Sequence, residues 1–180
     1  MTAVFTWAFV VVAALLILVA VLAVVTIAQL ILQSRAGVAR DGLERGRTAP
    51  EWEADDLGGT RRRSPAPGRW QLLVFADHSL NSFPGVVEGL RALADEAGDE
   101  LETIVLAREY SREVVGELTV LGVDSPVVLV PNSVYHRYNI RVMPFVVLVG
   151  PDGKVGASSL VNHAWQLESL WRLTGKAPAR

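Results

Sequence analysis

The sequence predicts an α/β domain, a mixed sheet flanked by helices, preceded by one long apolar segment. Three observations predict it. From Trp70 onward, short apolar runs alternate with stretches of helical spacing, the order expected of parallel strands joined by crossovers. Two late runs are separated only by Gly150-Pro151-Asp152-Gly153, a connection so short that they must pair antiparallel. Ahead of all this, Val4 to Leu32 carries no charged residue.

Composition bounds the possibilities. The chain has 180 residues and is 51% hydrophobic, but that average merges two populations, an apolar start and an ordinary remainder. Beyond the first segment roughly 145 residues remain, enough for one domain with a sizeable core. With a net charge of −2, nothing in the charge balance points to nucleic acid. The chain has no cysteine. Disulfides, thiolate ligands, iron–sulfur clusters and cysteine nucleophiles within this chain are thereby excluded.

Residues 4–32 are read as a transmembrane helix, since about 20 apolar residues cross a bilayer and this run exceeds that. A cleaved signal peptide fits poorly: no basic region precedes the run, the run is too long, and no clear small-x-small cleavage site follows it. Trp7 suits an interfacial anchor. The only basic flank is C-terminal, with Arg35, Arg40, Arg45 and Arg47, and by the positive-inside rule alone it places the following domain in the cytoplasm. Residues 33–48 form a juxtamembrane linker, whose weak helical pattern fits either a short helix or a tether. A domain over 49–176 and a fraying tail over 177–180 complete the organisation.

Within the domain, Trp52, Ala54 and Asp56 alternate ahead of Gly58-Gly59, the signal of a small hairpin. Arg61 to Gly68 reads as a loop, its three arginines solvated. Leu72 to Phe75 is apolar without alternation, which suits a central strand buried on both faces. Val86, Val87, Leu90, Leu93 and Ala94 mark a helix running to about Ala97, ended by Gly98 and Asp99. Leu101 to Ala107 is a strand and Arg108 to Leu121 a helix. Val127 to Val130 is a strand, closed by Pro131. Asn132 to Tyr138 is a short helix or turn with Asn132 or Ser133 as its cap. Phe145 to Val149 and Lys154 to Ser158 form the hairpin, and Asn162 caps a last helix to Leu173.

Three of these features together resemble the thioredoxin fold: the strand, turn and helix of residues 72–93, the Met143-Pro144-Phe145 element before an apolar strand, and the final hairpin with its terminal helix. Within that fold the chain is similar to the membrane-anchored methylamine utilisation D-type proteins, accessory to methylamine dehydrogenase. The likeness rests on the uncharged start, Ala49-Pro50 with Asp56-Leu57-Gly58-Gly59, Leu90-Arg91-Ala92-Leu93, Met143-Pro144-Phe145, Gly150 to Gly153, and Leu160-Val161-Asn162 ahead of Leu167-Glu168-Ser169-Leu170. The resemblance implies a cis proline at Pro144, facing a Cys-x-x-Cys turn, and an exported domain. We adopt that extracytoplasmic placement on a single-pass cell-membrane anchor as the expectation, against the arginine flank.

The departure is large. The cysteine positions of such proteins fall at Leu80 and Phe83 or, in a frame shifted by one, at Ser79 and Ser82, and neither frame holds sulfur. Disulfide exchange needs one thiolate to attack and a second thiol to resolve, so this chain alone cannot perform it. Ser79 and Ser82 beside His78 do not read as a hydrolase, because Asp77 and His78 adjoin Ser79 in an unfavourable local arrangement and no Gly-x-Ser-x-Gly elbow is present. Ser82 as a helix cap, followed by Pro84, and His78 in solvent explain them more simply. His136 and His163 have no further ligands at useful spacing, and no cofactor fingerprint is present. Tyr135, Tyr138 and Trp165 are read as core or rim.

What remains is a candidate partner-binding surface formed by Ser79, Leu80, Asn81, Ser82, Phe83, Met143 and Pro144. The resemblance implies that Met143 presents its backbone to an extended partner. Leu80, Phe83 and Met143 facing outward would make the patch apolar; the alternative is that Leu80 or Phe83 packs inward. The expected function is a membrane-tethered, redox-inactive accessory module that binds a protein. The alternative is a redox or maturation factor whose partner supplies the thiols. A peroxidase-like enzyme lacks a nucleophile.

Overall fold

In a computed structural model, the described residues are 16–22, 41–76, 83–109, 115, 116, 118, 120–172 and 174. They fall in two units, Met1–Arg40 and Asp41–Arg180. In the first, residues 16–22 are helical and exposed. The rest of the expected transmembrane run lies outside the described residues, and among the described residues no helix is long and apolar enough to cross a membrane.

The second unit carries a hairpin, β1 (Trp52–Asp55) with β2 (Arg61–Ser64), and a five-stranded sheet. The sheet contains β3 (Trp70–Phe75), β4 (Leu101–Arg108), β5 (Val127–Val130), β6 (Phe145–Val149) and β7 (Val155–Leu160), in the order β5-β4-β3-β6-β7. β3, β4 and β5 run parallel, but β6 runs antiparallel to β3, whereas the alternation of strands and helical stretches predicts a parallel strand there. β7 pairs antiparallel with β6, as the short connection requires. Three helices complete it: α1 (Phe83–Ala97), α2 (Asn132–Arg137) and α3 (Ala164–Arg172).

β3 is buried along Gln71 to Phe75 because both of its faces are covered. On one face Leu72, Val74, Val105 and Val146 meet Val86, Val87, Leu90 and Leu93 of α1 and Leu167, Leu170 and Trp171 of α3. The helical spacing of these residues forms the apolar stripe that the sheet buries. α1 and α3 approach closely at Gly89, where a Cβ would stand 2.6 Å from Ala164 Cα. On the other face Leu73, Phe75, Ile104, Leu106, Phe145 and Val147 meet Tyr135 and Tyr138, with Ala49 and Trp52 from the N-terminal side.

That N-terminal side binds both sheet edges. Gly46 N–H donates to Val155 O at 2.7 Å and Val155 N–H to Arg47 O at 2.8 Å, so residues 46–47 line the β7 edge. After crossing the face at Ala49 and Trp52, the chain turns at Asp56, which bridges Val128, and Leu57 N–H donates to Val127 O. Unpaired strand edges invite pairing with other chains, and these contacts blunt both.

Four further expectations need correcting. Arg61–Ser64 is a strand, not a loop: its arginines stand opposite the acidic β1, with Glu53 facing Arg63 and Asp55 facing Arg61. β4 extends through Arg108, which the helical reading had claimed; residues 115, 116, 118 and 120 are helical and residues 110–114 lie outside the described residues. α2 starts after Pro131 without a side-chain cap from Asn132 or Ser133. At α3 it is Gln166 that closes the helix start, its Oε1 accepting the N–H groups of Asn162 and His163 at 2.7 and 3.0 Å.

Candidate functional site

β3 leaves the sheet at Ala76, whose N–H donates to Leu106 O at 3.0 Å. The chain enters α1 at Phe83. Between them, Ser79, Leu80, Asn81 and Ser82 lie outside the described residues, as does the side chain of Phe83. The His78 and Ser82 readings fall there too. Phe75 pairs with Phe145 across β3 and β6, so one step further along the register Pro144 comes beside Ala76. The topology therefore brings the Met143–Pro144 element to the end of β3 from which the turn departs.

The Met143–Pro144 peptide is cis, as the resemblance implied. Pro144 is buried and its carbonyl accepts Val161 N–H at 3.1 Å, which ties the loop to the start of the segment leading into α3. Met143 is half-buried against the second-face cluster, while Val142 is 48% exposed. Val142, which the sequence analysis does not single out, places an exposed apolar side chain next to Met143. Trp165 is the rim residue of the three aromatics, 62% exposed, whereas Tyr135 and Tyr138 belong to the core.

Beneath Ala76 lies a built support. The Tyr135 hydroxyl is 3.0 Å from Ala76 O and 2.9 Å from Leu106 O, one proton shared between two carbonyls at the ends of β3 and β4. Phe75 packs edge-on against the Tyr135 ring at 5.1 Å, and Arg108 stands over that ring with its guanidinium carbon 4.6 Å from the centroid. None of this was legible as a unit. Tyr135 and Arg108 are 27 residues apart in the chain, and Arg108 sat inside a helical pattern.

The groups whose ionisation the fold perturbs lie elsewhere. Asp56 accepts N–H groups from Thr60 and Gly58 and the Arg62 guanidinium, and these bonds hold its carboxyl below the usual range. Arg62 also reaches Glu102 Oε1 at 3.0 Å, at the opposite end of β4 from Arg108. Buried Gln71 completes that network, with Nε2 donating to Glu102 and to Arg63 O and Oε1 accepting Ala66 N–H, each at 2.9 Å. Burial pushes the Tyr138 phenol up to about 12; its hydroxyl donates to Pro50 O at 2.9 Å. His136 meets Asn132 at 2.9 Å on α2 and His163 precedes α3, so the two histidines stand on separate elements. Among the described residues no three His, Cys, Asp or Glu side chains converge as metal ligands.

This architecture is a thioredoxin-like fold: a mixed sheet of five strands, helices on both faces, and a cis proline beside the strand end that feeds the first helix. In sequence the chain is similar to the methylamine utilization protein MauD of Methylophilus methylotrophus, 29% identical over 109 residues, which are 61% of this chain and 51% of that protein. The chain thus spans about half the length of the curated relative it matches. No family model matches it. Solved structures with the same fold include StoA from Bacillus subtilis, with a TM-score of 0.58 at 16% identity, covering 68% of this chain and 97% of that one. The thioredoxin domain of a thiol-disulfide oxidoreductase from Bacteroides vulgatus gives 0.59 at 20% identity, covering 74% and 97%. Peroxidoxin BcpB from Mycobacterium tuberculosis gives 0.60 at 17% identity, covering 76% and 99%. At these identities the structures speak to the fold alone.

Proposed function

We propose that this chain is a membrane-tethered, redox-inactive thioredoxin-like module that binds a protein partner as an accessory or assembly subunit. One observation carries the reading: the scaffold keeps the strand end, the helix start and the cis Met143–Pro144 loop, in a chain without a single cysteine. A serine or leucine at the turn cannot form a mixed disulfide, so only non-covalent recognition remains for this surface. Ser79, Leu80, Asn81, Ser82, Phe83, Met143 and Pro144 form the contact surface in this proposal. Residues 4–32 would hold it to a bilayer, with the domain on the extracytoplasmic side.

The test uses the full chain in intact membranes. A photoreactive residue at Met143 is expected to capture a discrete protein adduct that the same group at exposed Asp95 does not. Changing Leu80 or Phe83 to Asp should abolish the adduct. Equal labelling from both positions, or disulfide reductase activity in the purified chain, would sink the proposal. A reporter fused at Arg180, probed from each side of the membrane, decides the orientation.

The similarity to MauD favours a second reading, in which the chain works in methylamine utilization beside a partner that supplies the thiols. Its signature is a captured partner that carries a reactive dithiol and whose oxidation state shifts when this chain is removed.

A further inference from the structure

We infer that residues 41–48 form a strap whose seat at Gly42 fixes the Met143–Pro144 loop from behind. Gly42 has φ +86°, and a Cβ placed on it would stand 2.6 and 2.7 Å from the Phe145 ring carbons Cζ and Cε1 and 2.8 Å from Ser158 Oγ. The strap backbone therefore lies directly on the ring of the residue that follows Pro144. Around that seat the strap is fastened by hydrogen bonds. Gly42 N–H donates to Asn139 O at 2.9 Å, Asn139 Nδ2 to Gly42 O at 3.3 Å, and Ser158 Oγ to Leu43 O at 2.9 Å. Further along, the Gly46 and Arg47 bonds to Val155 hold it to the β7 edge. Residues 1–40 join the domain through this strap. Displacing it would remove the cover from the Phe145 ring and from β7 together. Local opening of this kind is a property of the isolated chain and does not depend on the partner-binding proposal.

Gly46 provides the internal control, because it has the same φ of +86° with nothing within 4 Å of a built Cβ. Gly42→Ala and Gly46→Ala carry the same left-handed backbone penalty, and only the first collides with Phe145. Hydrogen exchange in the full chain, followed residue by residue, reads both ends. The Val155 amide reports the strap through its bond to Arg47 O, and the Val161 amide reports the loop through its bond to Pro144 O. Gly42→Ala should accelerate exchange at both amides by about tenfold or more, while Gly46→Ala should accelerate Val155 and leave Val161 within about twofold of the parent. Unchanged Val161 exchange in Gly42→Ala, or equal acceleration in the two variants, overturns the inference. Should Gly42→Ala also lose protection throughout β3 and β4, Ser158→Ala decides instead. It removes one strap bond without a collision, and it should accelerate Val161 along with Val155, or the inference fails.

Discussion

The two faces of the sheet are covered in different ways. On one, α1 and α3 lay apolar stripes against the strands, and the contact is almost wholly hydrophobic. On the other, α2 shares the cover with an irregular N-terminal extension, and there aromatic packing is joined by hydrogen bonds from Tyr135, Tyr138 and Gln71. The first face should tolerate changes of shape poorly, because it is close-packed. The second depends on specific polar partners and should respond to ionisation. Met143 and Pro144 lie at the end of the sheet where β3 leaves and β6 begins.

The largest effect should come from the aromatic centre of the second face. Phe75 is fully buried against Tyr135 and Tyr138, with ring centroids 5.1 and 5.3 Å away. Phe75→Ala should lower unfolding free energy by about 3–5 kcal/mol, read from a urea midpoint, since transfer and cavity terms add. A loss well below this range would mean that the tyrosines collapse into the space. On the helix-covered face the matching probe is Gly89→Val. Its side chain meets Ala164 backbone and Leu167 Cδ1, at 2.6 and 2.9 Å from the Cβ position, and overpacking of this kind costs about 3 kcal/mol. If Gly89→Val were neutral, α1 and α3 would not be in close contact.

A pH titration separates the faces. The Tyr138 phenol, raised to about 12 by burial, keeps its proton in the folded chain while the unfolded chain releases it near 10. Its contribution to stability is therefore complete below pH 10 and is lost as pH rises toward 12, by about 2–3 kcal/mol in all. Tyr138→Phe should flatten this part of the stability profile. A wild-type profile with no fall above pH 10 would show that the phenol is accessible in the folded state.

The same contrast explains what the sequence disclosed. The helix-covered face is written in periodicity: Val86, Val87, Leu90 and Leu93 recur at helical spacing, and the succession of elements along the chain and the final hairpin follow from run lengths and the Gly150–Gly153 turn. The second face is not periodic. Its contacts join Pro50 to Tyr138, Gly42 to Asn139 and Arg62 to Glu102, pairs that only the tertiary structure brings together. The Arg61–Arg63 run reads as a loop because polar residues without apolar alternation give no strand signal. It becomes a strand because an acidic partner strand precedes it and Asp56 folds the turn between them. At the site, Met143 and Pro144 were legible because an X-Pro before an apolar run is local. The Tyr135 support beneath Ala76 was not, because a hydroxyl reaching two strand carbonyls leaves no mark in sequence.

The smallest predicted effect tests that account of the arginine run. Arg61 and Arg62 are adjacent and each bonds two carboxylates, yet their surroundings differ. Arg61 pairs with Glu53 and Asp55 at 2.9 and 3.3 Å with its side chain 59% exposed, where water competes for every bond. Arg62 is 27% exposed and its partner Glu102 only 15%, and Glu102 is also tied to buried Gln71. Removing Arg62 strands the carboxylates of Glu102 and Asp56, whose side chains are 15% and 8% exposed, whereas removing Arg61 returns two exposed ones to solvent. Arg62→Ala should therefore lower the unfolding free energy, read from the urea midpoint, by an amount on the order of 1 kcal/mol, after allowance for partial exposure. Arg61→Ala should leave the midpoint unchanged, because exposed pairs contribute almost nothing net. Salt sharpens the distinction, since screening weakens exposed pairs first and the Arg62 effect should largely survive 1 M salt. Equal shifts for the two variants would place the stabilisation in the hairpin charges as a whole rather than in the link from Arg62 to the sheet.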